Sequence, residues 1–452
     1  MTKLFSYQKQ GILAIERLNG RALLADSMGL GKTIQALYYL RRNKAITTPT
    51  LIISPAIAKW EWQEQAHKHT KLHITVGESF TAPKHFDPTQ HTRIVINYEI
   101  ALYWSRFIIR HMHPQCLILD EVHYLKSMDA DRTEIIRKIG KNIPHIIAIS
   151  GTPLLSRPIE LYPTINLLWP KAFPDFLPYA IRHCHPKFVY GRLNFTGACK
   201  LPLLRAKLKR LGMIRRLTED VQKQLPHIRR IVKLVHIDNM TEYREARDDF
   251  KTWLRKTKGQ KKNREWKAER LVRNGYLRRL TAQGKLSTIL EWVDSFLEEN
   301  RGKLILFAHH HFMIDAILKK FSRCAVSVYG KTNAQEKHRI VKRFQTSTRI
   351  RIFVGSLAAK EVITLTAADT LAFVELWDVP GWHKQAEQRI RRIGQKSKHV
   401  LIYYFIAKGT VDVETAERLE RKQNVVTKIL DGERESQSLK IHTMYINKRR
   451  TQ

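Results

Sequence analysis

The sequence predicts an α/β protein with two parallel sheets, each covered by helices on both faces. Two series of short apolar runs alternate with helix-like stretches, and continuous apolar strands separated by helices are typical of parallel sheets buried on both faces. A strongly basic segment separates the two series, and 452 residues are enough for two or three domains. We therefore predict two α/β domains in tandem.

The strand predictions follow the apolar runs in chain order. The first series comprises residues 22–25, 51–53, 94–96, 116–119 and 146–149, and the second comprises residues 304–307, 350–354, 371–374 and 400–404. Between them, residues 171–225 have a helix-like pattern, and residues 251–279 hold twelve Lys and Arg against two Glu. Such a run is usually a solvated helix face, but the charge of the whole chain favours contact with a phosphate backbone.

The charge balance narrows the class of function. The chain has 80 Lys+Arg against 41 Asp+Glu, a net charge of +39, which favours polyanions, and nucleic acid is the usual one. A basic protein without such a partner is the weaker alternative. We see no uninterrupted apolar run of about 18 residues and no apolar segment typical of a signal peptide, so we predict no membrane partner and no secretion. Four dispersed cysteines suggest neither a disulfide framework nor a zinc site.

A glycine-rich loop follows the first apolar run. The order of strand, loop and helix around residues 26–33 is that of a phosphate-binding loop, in which backbone N–H groups and a helix N-terminus hold phosphates. Lys32 would reach the β- and γ-phosphates, and the Thr33 hydroxyl would hold Mg²⁺. Because Asp26 replaces the usual first glycine, the loop alone leaves the kind of nucleotide hydrolase open.

An acidic pair follows the strand predicted at residues 116–119. Asp120 at this position would bind Mg²⁺ through water, and Glu121 would polarise the attacking water. An acidic pair in a turn is structural in most proteins. The phosphate-binding loop earlier in the chain favours the catalytic interpretation here.

Two further motifs are weak by themselves. Residues 150–153, Ser-Gly-Thr-Pro, follow a predicted strand and would be an ordinary turn if considered alone. Arg389 and Arg392 lie three residues apart and face the same side of a helix. They could be arginine fingers at a γ-phosphate or part of a basic surface helix.

Together these motifs resemble the Snf2 family of superfamily 2 helicase-like ATPases, from residue 7 to about residue 430. The first family motif reads Asp-Glu-Met-Gly-Leu-Gly-Lys-Thr, so Asp26 is a family trait and Ser27 is the departure. Tyr7-Gln8 with Gly11 is similar to the adenine-reading Q motif. Residues 51–55, followed by Trp60 and Trp62, are similar to motif Ia. Residues 96–99 are similar to the next DNA-side motif.

The resemblance implies two tandem RecA-like domains with helical insertions. Its boundaries are a first RecA-like lobe at 1–170, a helical, basic insertion at 171–280, a second RecA-like lobe at 281–430 and a polar basic tail at 431–452. It also implies ATP and Mg²⁺ as cofactors. ATP would contact Gln8, Asp26, Ser27, Met28, Gly29, Leu30, Gly31, Lys32 and Thr33, and Mg²⁺ would be held by Thr33 and Asp120.

The same resemblance assigns the remaining roles. Catalysis falls to Lys32, Asp120, Glu121, Arg389 and Arg392, with ATP lying between the two lobes. The coupling residues are His123, Ser150, Thr152, Gln385 and Gln395. The expected DNA contacts are Pro55, Lys59, Trp60, Asn97, Tyr98, His309, Thr364 and Thr366.

A finer similarity points to the annealing-helicase (HARP-type) branch, which rewinds DNA and remodels stalled forks. It is carried by residues 150–162, 215–217, 220–221, 225–226 and 307–310. Because the chain leaves no room for that branch's fork-binding domains, we expect a bare, monomeric motor. Its partner would be duplex or branched DNA, contacted mostly through the backbone, with a separate replication, repair or defence protein as a further partner. The expected location is cytoplasmic, at a nucleoid or a viral replication site.

Three alternatives remain open at this point. They are a strand-separating superfamily 2 helicase acting on DNA or RNA, a catalytically idle nucleic-acid-binding scaffold, and the motor subunit of a restriction or defence system. Three residues depart from the family pattern. Val362 stands in place of glycine and bears on coupling between DNA and ATP. Thr218 stands in place of a lysine that would form an ion pair, and Gln388 stands in place of a common motif VI aspartate.

Overall fold

The structure is a computed structural model in which the chain forms two compact units. The described residues are 4–85, 87, 91–189, 192–221, 226–250, 252–253, 269–330, 332, 334–356, 365–392, 395–432 and 440–450. The first unit comprises Met1–Lys223 and Asn424–Gln437, and the second comprises Gln224–Gln423 and Ser438–Gln452. Each unit has its own parallel sheet, as the sequence predicts.

The first unit is built on a seven-stranded parallel sheet. Its strands are β1 (Arg21–Leu24), β2 (Thr50–Ser54), β3 (Thr75–Val76), β4 (Arg93–Asn97), β5 (Cys116–Asp120), β6 (His145–Ile149) and β9 (Met213–Ile214), in the order β3-β4-β2-β5-β6-β1-β9. β7 (Lys187–Val189) and β8 (Arg192–Asn194) form a separate antiparallel hairpin. Because β5, β6 and β1 are neighbours and run parallel, the residues that follow these three strands meet at one edge of the sheet.

Helices surround this sheet. Strands and helices alternate along the chain, as in a doubly wound α/β fold, and the helix Tyr98–Phe107 begins directly after β4. In the first unit the α-helices are Ser6–Arg17, Lys32–Arg42, Lys44–Thr47, Ala58–Gln65, Tyr98–Phe107, Asp131–Gly140, Tyr162–Leu168, Phe176–His183, Leu201–Leu211 and Thr218–Val221. Short π-helices at Ala66–Thr70 and Ile108–Met112 and 3₁₀-helices at Val122–Leu125 and Pro158–Leu161 complete the unit. Its core also includes Val426, Ile429 and Leu430 from near the end of the chain.

The second unit is built on a six-stranded parallel sheet. Its strands are β10 (His227–Val235), β11 (Leu304–Phe307), β12 (Ala325–Val328), β13 (Ile352–Gly355), β14 (Thr370–Phe373) and β15 (His399–Ala407), in the order β10-β15-β14-β11-β13-β12. Its helices are Met240–Asp248, Glu269–Gly284, Leu286–Glu299, His311–Lys320, Ala334–Thr346, Pro380–Ile390, Val411–Leu430, whose last residues belong to the first unit, and Ile441–Arg450.

Each apolar run predicted as a strand forms one, and the structure adds strands that the sequence reasoning missed. β9 and β10 lie in the segment 171–280, which was expected to be helical, and each pairs with an edge of a sheet. β10 was missed because Arg229, Arg230 and Lys233 interrupt its apolar pattern. Val232 and Val235, which point to opposite faces of the strand, are nevertheless buried in two different cores.

The expectation of a polar tail after residue 430 needs a correction. Residues Ile441–Arg450 form a helix, and its Ile441 and Tyr445 side chains are buried in a core of the second unit. The spacing of these two apolar residues, four positions apart, puts them on one helix face. The abundance of Lys and Arg around them hid this pattern.

Neither a membrane span nor a metal cluster occurs in the described residues. No helix among them is long and apolar enough to cross a membrane. Within the same part of the chain, no group of three or more His, Cys, Asp or Glu side chains is arranged to hold a metal ion.

Candidate nucleotide-binding site

The predicted phosphate-binding loop connects β1 to the helix Lys32–Arg42. Gly29 and Gly31 have φ values of 82° and 68°, a backbone conformation that side chains disfavour. At Gly31 a Cβ atom would also lie 2.5 Å from the Gln8 side-chain nitrogen. The positive φ therefore favours glycine at position 31, and a larger residue there would also displace the end of the Gln8 side chain.

Lys32 lies at the first turn of that helix, and its ammonium group bonds within the loop. Lys32 Nζ donates to the carbonyl oxygens of Asp26 at 2.9 Å and Ser27 at 3.1 Å. Burial lowers the pKa of Lys32, and the nearby carboxylates of Glu121, Asp26 and Asp120 oppose this effect. The loop is thus preformed around the Lys32 ammonium group, which lies near three acidic side chains.

The Gln8 side chain lies against the same loop. Its Oε1 accepts a hydrogen bond from the Phe5 backbone N–H at 3.0 Å, and its Nε2 lies 3.4 Å from the Leu30 carbonyl oxygen. This contact brings the predicted Q-motif glutamine to the loop. Its role in reading adenine stays a prediction.

Asp26, the residue that departs from the general loop pattern, is fully buried and bound by Arg216. Arg216 donates to Asp26 Oδ1 from both its backbone N–H and its Nε at 2.9 Å, and to Oδ2 from Nη2 at 2.5 Å. Gln35 Nε2 also donates to Asp26 Oδ2 at 3.2 Å, and Arg216 Nη1 donates to the Tyr7 carbonyl. Asp26 therefore anchors the loop to the segment after β9.

Arg215 also stabilises the phosphate-binding loop region through hydrogen bonds. Its Nη1 donates to the carbonyl oxygens of Ala25 at 2.5 Å and Gly151 at 3.1 Å, and its Nε donates to Asp431 Oδ1 at 2.8 Å. Both charged side chains of this ion pair are buried. The sequence reasoning gave neither Arg215 nor Arg216 a role at the site, because their partners are too distant in the chain for any local spacing to reveal.

The acidic pair lies at the carboxyl end of β5. Asp120 Oδ1 accepts the Glu121 backbone N–H at 3.0 Å, and Asp120 Oδ2 accepts the indole N–H of Trp62 at 2.9 Å. The Tyr98 hydroxyl donates to the Asp120 carbonyl oxygen at 2.8 Å. Burial, and then the charge of Glu121, raise the pKa of Asp120. A bound cation would offset both causes.

Glu121 is held in its ionised form by its neighbours. Ser150 Oγ donates to Glu121 Oε2 at 2.8 Å, and His123 Nδ1 lies 3.1 Å from the same oxygen. Burial alone would raise the pKa of Glu121, but the hydrogen bond and charge of His123, the charge of Lys32 and the hydrogen bond of Ser150 lower it. A carboxylate that stays ionised is what activation of a water molecule needs.

Three of the predicted coupling residues converge at this carboxylate. His123 Nδ1 lies 3.4 Å from Ser150 Oγ, and the same oxygen accepts the Thr152 backbone N–H at 3.1 Å. A Cβ on Gly151 would lie 2.6 Å from Met28 Cγ and 3.4 Å from Lys32 Nζ. The Ser-Gly-Thr turn therefore packs directly on the phosphate-binding loop.

Comparisons with known protein families identify the family of this chain. The SNF2-related domain family matches residues 7–285, more than half of the chain, and the helicase conserved C-terminal domain family matches residues 284–397. The chain belongs to the SNF2 family.

Relatives within this family match almost the whole chain. A Caenorhabditis elegans homologue of SWI/SNF-related matrix-associated actin-dependent regulator of chromatin subfamily A-like protein 1 is 35% identical over 94% of this chain and 62% of its own length. Human DNA annealing helicase and endonuclease ZRANB3 is 31% identical over 96% of this chain and 41% of its own length. The chain thus spans less than two thirds of either relative.

Among solved structures, the Sulfolobus solfataricus SWI2/SNF2 ATPase core in complex with dsDNA aligns over 99% of this chain and 97% of its own. The identity is 20% and the TM-score is 0.45.

The second unit holds the predicted motif VI residues of this SNF2 chain. Arg389 and Gln385 are buried in the helix Pro380–Ile390. Gln395 Nε2 donates to the carbonyl oxygens of Ala368 at 2.7 Å and Ile390 at 3.0 Å, so it fixes the segment that follows this helix and contains Arg392. The roles of the two arginines as fingers stay a prediction.

Glu387 anchors the same helix, a structural role that no local pattern in the sequence indicated. Its two carboxylate oxygens accept Arg230 Nε at 2.8 Å and Nη2 at 2.7 Å, and Oε1 also accepts the Tyr404 hydroxyl at 2.7 Å. Burial would raise the pKa of Glu387, but Arg230 lowers it below its usual range. This bidentate pair fixes the helix on β10 and β15.

The predicted DNA contacts divide into two groups. Trp60 and His309 are exposed, while Thr366 is half-buried. In contrast, Pro55 is buried, and three buried side chains have internal partners: Lys59 Nζ donates to the Gly77 carbonyl at 2.8 Å, Asn97 to Glu99 at 2.6 Å and Tyr98 to Asp120. The structure therefore gives Lys59, Asn97 and Tyr98 supporting positions inside the unit, and their role as DNA contacts stays a prediction.

Some predictions fall outside the described residues. They include the DNA contact at Thr364, the departure at Val362 and most of the basic segment 251–279. Of the other departures, Thr218 is buried and Gln388 half-buried. Neither side-chain oxygen has a hydrogen-bond partner within the described part of the chain.

Proposed function

We propose that this chain is an ATP-driven DNA motor. It hydrolyses ATP when it binds DNA, moves along the duplex, and remodels or reanneals branched DNA or protein–DNA complexes. The observation that carries this proposal is the Glu121 carboxylate, which lies next to Asp120, is held by His123 and Ser150, and is close enough to Lys32 to affect its pKa.

This geometry supports the following proposed roles for the residues. Lys32 and the loop N–H groups bind the phosphates, and Glu121, held ionised, accepts a proton from the attacking water. His123 and Ser150 fix the orientation of the Glu121 carboxylate. Arg389 and Arg392 are proposed to supply positive charge during phosphoryl transfer, on the strength of the family resemblance alone.

The oxygen donors at the site suit Mg²⁺. The Asp120 carboxylate and the Thr33 hydroxyl are hard oxygen ligands of the kind that Mg²⁺ prefers, and substrate phosphates usually complete its shell. When bound, Mg²⁺ would neutralise charge on the phosphates and on Asp120. The raised pKa of Asp120 fits a carboxylate that requires a nearby cation.

DNA is the proposed partner for three reasons. The net charge of +39 favours a polyanion, exposed Trp60 lies on the helix after β2, and exposed His309 lies after β11. Human ZRANB3 is named a DNA annealing helicase, and we extend the annealing activity to this chain as part of the proposal.

The central experiment measures ATP turnover with and without plasmid DNA. Glu121→Gln should lower DNA-stimulated turnover by at least about 100-fold while binding of a fluorescent ATP analogue persists, because only the proton acceptor is removed. Lys32→Ala should abolish turnover and weaken ATP binding. Matched controls are Glu134→Gln and Lys138→Ala, which alter an exposed ion pair on the helix Asp131–Gly140. Unchanged turnover in Glu121→Gln would refute the role of Glu121, and absence of turnover in the wild-type protein would refute the ATPase assignment.

A second experiment separates the candidate actions on DNA. Forked duplexes with labelled strands report separation, and complementary strands coated with a single-strand-binding protein report annealing. We expect ATP-dependent annealing that Lys32→Ala abolishes. Net strand separation would favour the helicase alternative. DNA binding without ATP turnover would favour the scaffold.

The basic segment 255–273 is proposed to bind the DNA backbone. Changing six of its Lys and Arg to Gln should weaken duplex binding and reduce the slope of log Kd against log salt, by about 0.9 for each phosphate that the variant no longer neutralises. Basal ATP turnover should remain. Changing Lys138 and Lys141 instead controls for a general decrease in charge. The same slope before and after the six changes would exclude this segment.

A further inference from the structure

Trp62 is a buried residue whose polar atom meets the acidic pair. It lies in the helix Ala58–Gln65, directly after β2, and only 1% of it is exposed. Its indole Nε1 donates to Asp120 Oδ2 at 2.9 Å, while Asp120 Oδ1 accepts the Glu121 N–H at 3.0 Å. Each carboxylate oxygen therefore accepts one N–H, which fixes the plane of the carboxylate.

The topology explains how this helix reaches the site. β2 pairs with β5 in parallel register, with Ile53 opposite Leu119, so the segments that follow the two strands lie side by side. A buried tryptophan normally finds an acceptor for its N–H, and any carbonyl would serve. Trp104 in the same unit donates to the Ser79 carbonyl at 3.0 Å. Trp62 differs because its acceptor is the carboxylate at the end of β5.

We propose that Trp62 is a positioning residue for the metal-binding carboxylate, an inference that rests on the proposed function. Its N–H holds Asp120 in one orientation before any cation arrives. Hydrogen-bond donors behind a metal ligand fix its geometry, and their removal typically weakens metal binding by about 10- to 100-fold. Since one oxygen of Asp120 is held by backbone and the other by Trp62, removing the indole N–H frees the carboxylate to rotate.

The test measures metal affinity directly and uses the full chain. Mn²⁺ replaces Mg²⁺ as a paramagnetic probe, ADP is present in excess, and free Mn²⁺ is quantified by electron paramagnetic resonance. Trp62→Phe should weaken Mn²⁺ binding by about tenfold or more. ADP binding in EDTA should stay within about twofold of the wild-type value. Trp104→Phe, which removes an equivalent N–H bond away from Asp120, should leave Mn²⁺ affinity unchanged.

A second variant protects the test against misfolding. Incorporating 3-benzothienylalanine at position 62 keeps the shape of the ring and replaces the N–H by sulfur, so the core is retained. The same decrease in Mn²⁺ affinity is expected. Mn²⁺ affinity within about twofold of wild type in both variants would overturn the role of Trp62. If the wild-type protein and ADP bind no Mn²⁺, the proposed ATPase function itself is wrong, so the two failures are distinguishable.

Discussion

Arg215 and Asp431 form a buried ion pair in the first unit although 216 residues separate them in the chain. The guanidinium also donates to the carbonyl oxygens of Ala25, which precedes the phosphate-binding loop, and Gly151 of the Ser-Gly-Thr turn. A single buried cation therefore connects the phosphate-binding loop, the Ser-Gly-Thr turn and a segment from near the end of the chain.

Asp431→Asn should destabilise the first unit by about 3 kcal/mol, because it leaves a buried guanidinium without its counter-charge. Pulse proteolysis in urea, with peptides of the first unit followed by mass spectrometry, measures the change. The control is Glu134→Gln, which breaks an exposed ion pair and should cost less than about 1 kcal/mol. Equal effects of the two changes would mean that burial of the Arg215 pair is unimportant.

Asp26→Ala should weaken ATP binding by about tenfold. The change removes the carboxylate partner of Arg216, and the phosphate-binding loop then loses its anchor. The double variant Asp26→Ala with Arg216→Met should recover part of that affinity, because no unpaired buried charge remains. Titration of a fluorescent ATP analogue gives both values. Glu16→Gln is the control, since it breaks an ion pair with exposed Arg42 on the helix that starts at Lys32. Additive losses of affinity in the double variant would contradict a direct coupling.

Ser150→Ala should lower kcat by about tenfold and leave KM for ATP almost unchanged. The hydroxyl holds the Glu121 carboxylate but does not belong to the phosphate-binding loop, and a hydrogen bond to a charged group is worth about 1.5–3 kcal/mol. Steady-state ATP turnover with saturating DNA measures both constants. Ser105→Ala, which removes a hydroxyl bonded to the Leu102 carbonyl, should change neither. A rise in KM with constant kcat would place Ser150 in substrate binding.

The second unit should lose stability as the pH falls from about 6.5 to 4. Burial lowers the pKa of His383 to about 4, below the usual value of 6.5. Between pH 6.5 and 4 the His383 side chain is protonated in the unfolded chain but remains largely neutral in the folded chain. This difference lowers the free energy of unfolding by roughly 3 kcal/mol at pH 4. The His383 Nε2 lies 3.1 Å from both the backbone nitrogen and the carbonyl oxygen of Trp377.

Urea unfolding of the second unit across this pH range tests the prediction. His383→Asn should flatten the slope of unfolding free energy against pH between 6.5 and 4, whatever its starting stability. Exposed His338→Asn in the helix Ala334–Thr346 should leave the slope as it is in the wild-type protein. A wild-type curve that is flat over this interval would show that His383 titrates normally.

The sequence was sufficient for the parts of the fold and site that depend on local pattern. The runs 116–119 and 146–149 are continuous and apolar, so the strands and the residues that follow them, Asp120, Glu121 and Ser150, were placed correctly. Parallel neighbouring strands bring such residues to one edge whatever the details of packing.

Features that depend on distant contacts could not be predicted. Arg216 binds Asp26 across 190 positions, and Lys59 turned inward to Gly77 although lysine is usually exposed. One local signal was overlooked: Gln35 is a polar residue on the buried face of its helix, a pattern that requires a hydrogen-bond partner.

Because the first unit is made of two separate stretches of sequence, the parts of its core are translated at different times. Val426, Ile429 and Leu430 complete its core, and they are translated about 200 residues after Lys223. At 5–20 residues per second, a ribosome needs about 10–40 s to make the intervening chain. During this time the nascent first unit lacks these three residues, so part of its core stays exposed to solvent while the sheet of the second unit is synthesised. A cluster of slowly translated codons before residue 424 would lengthen this exposure. A chaperone that binds residues 1–223 of the nascent chain would have the most time to bind during this interval.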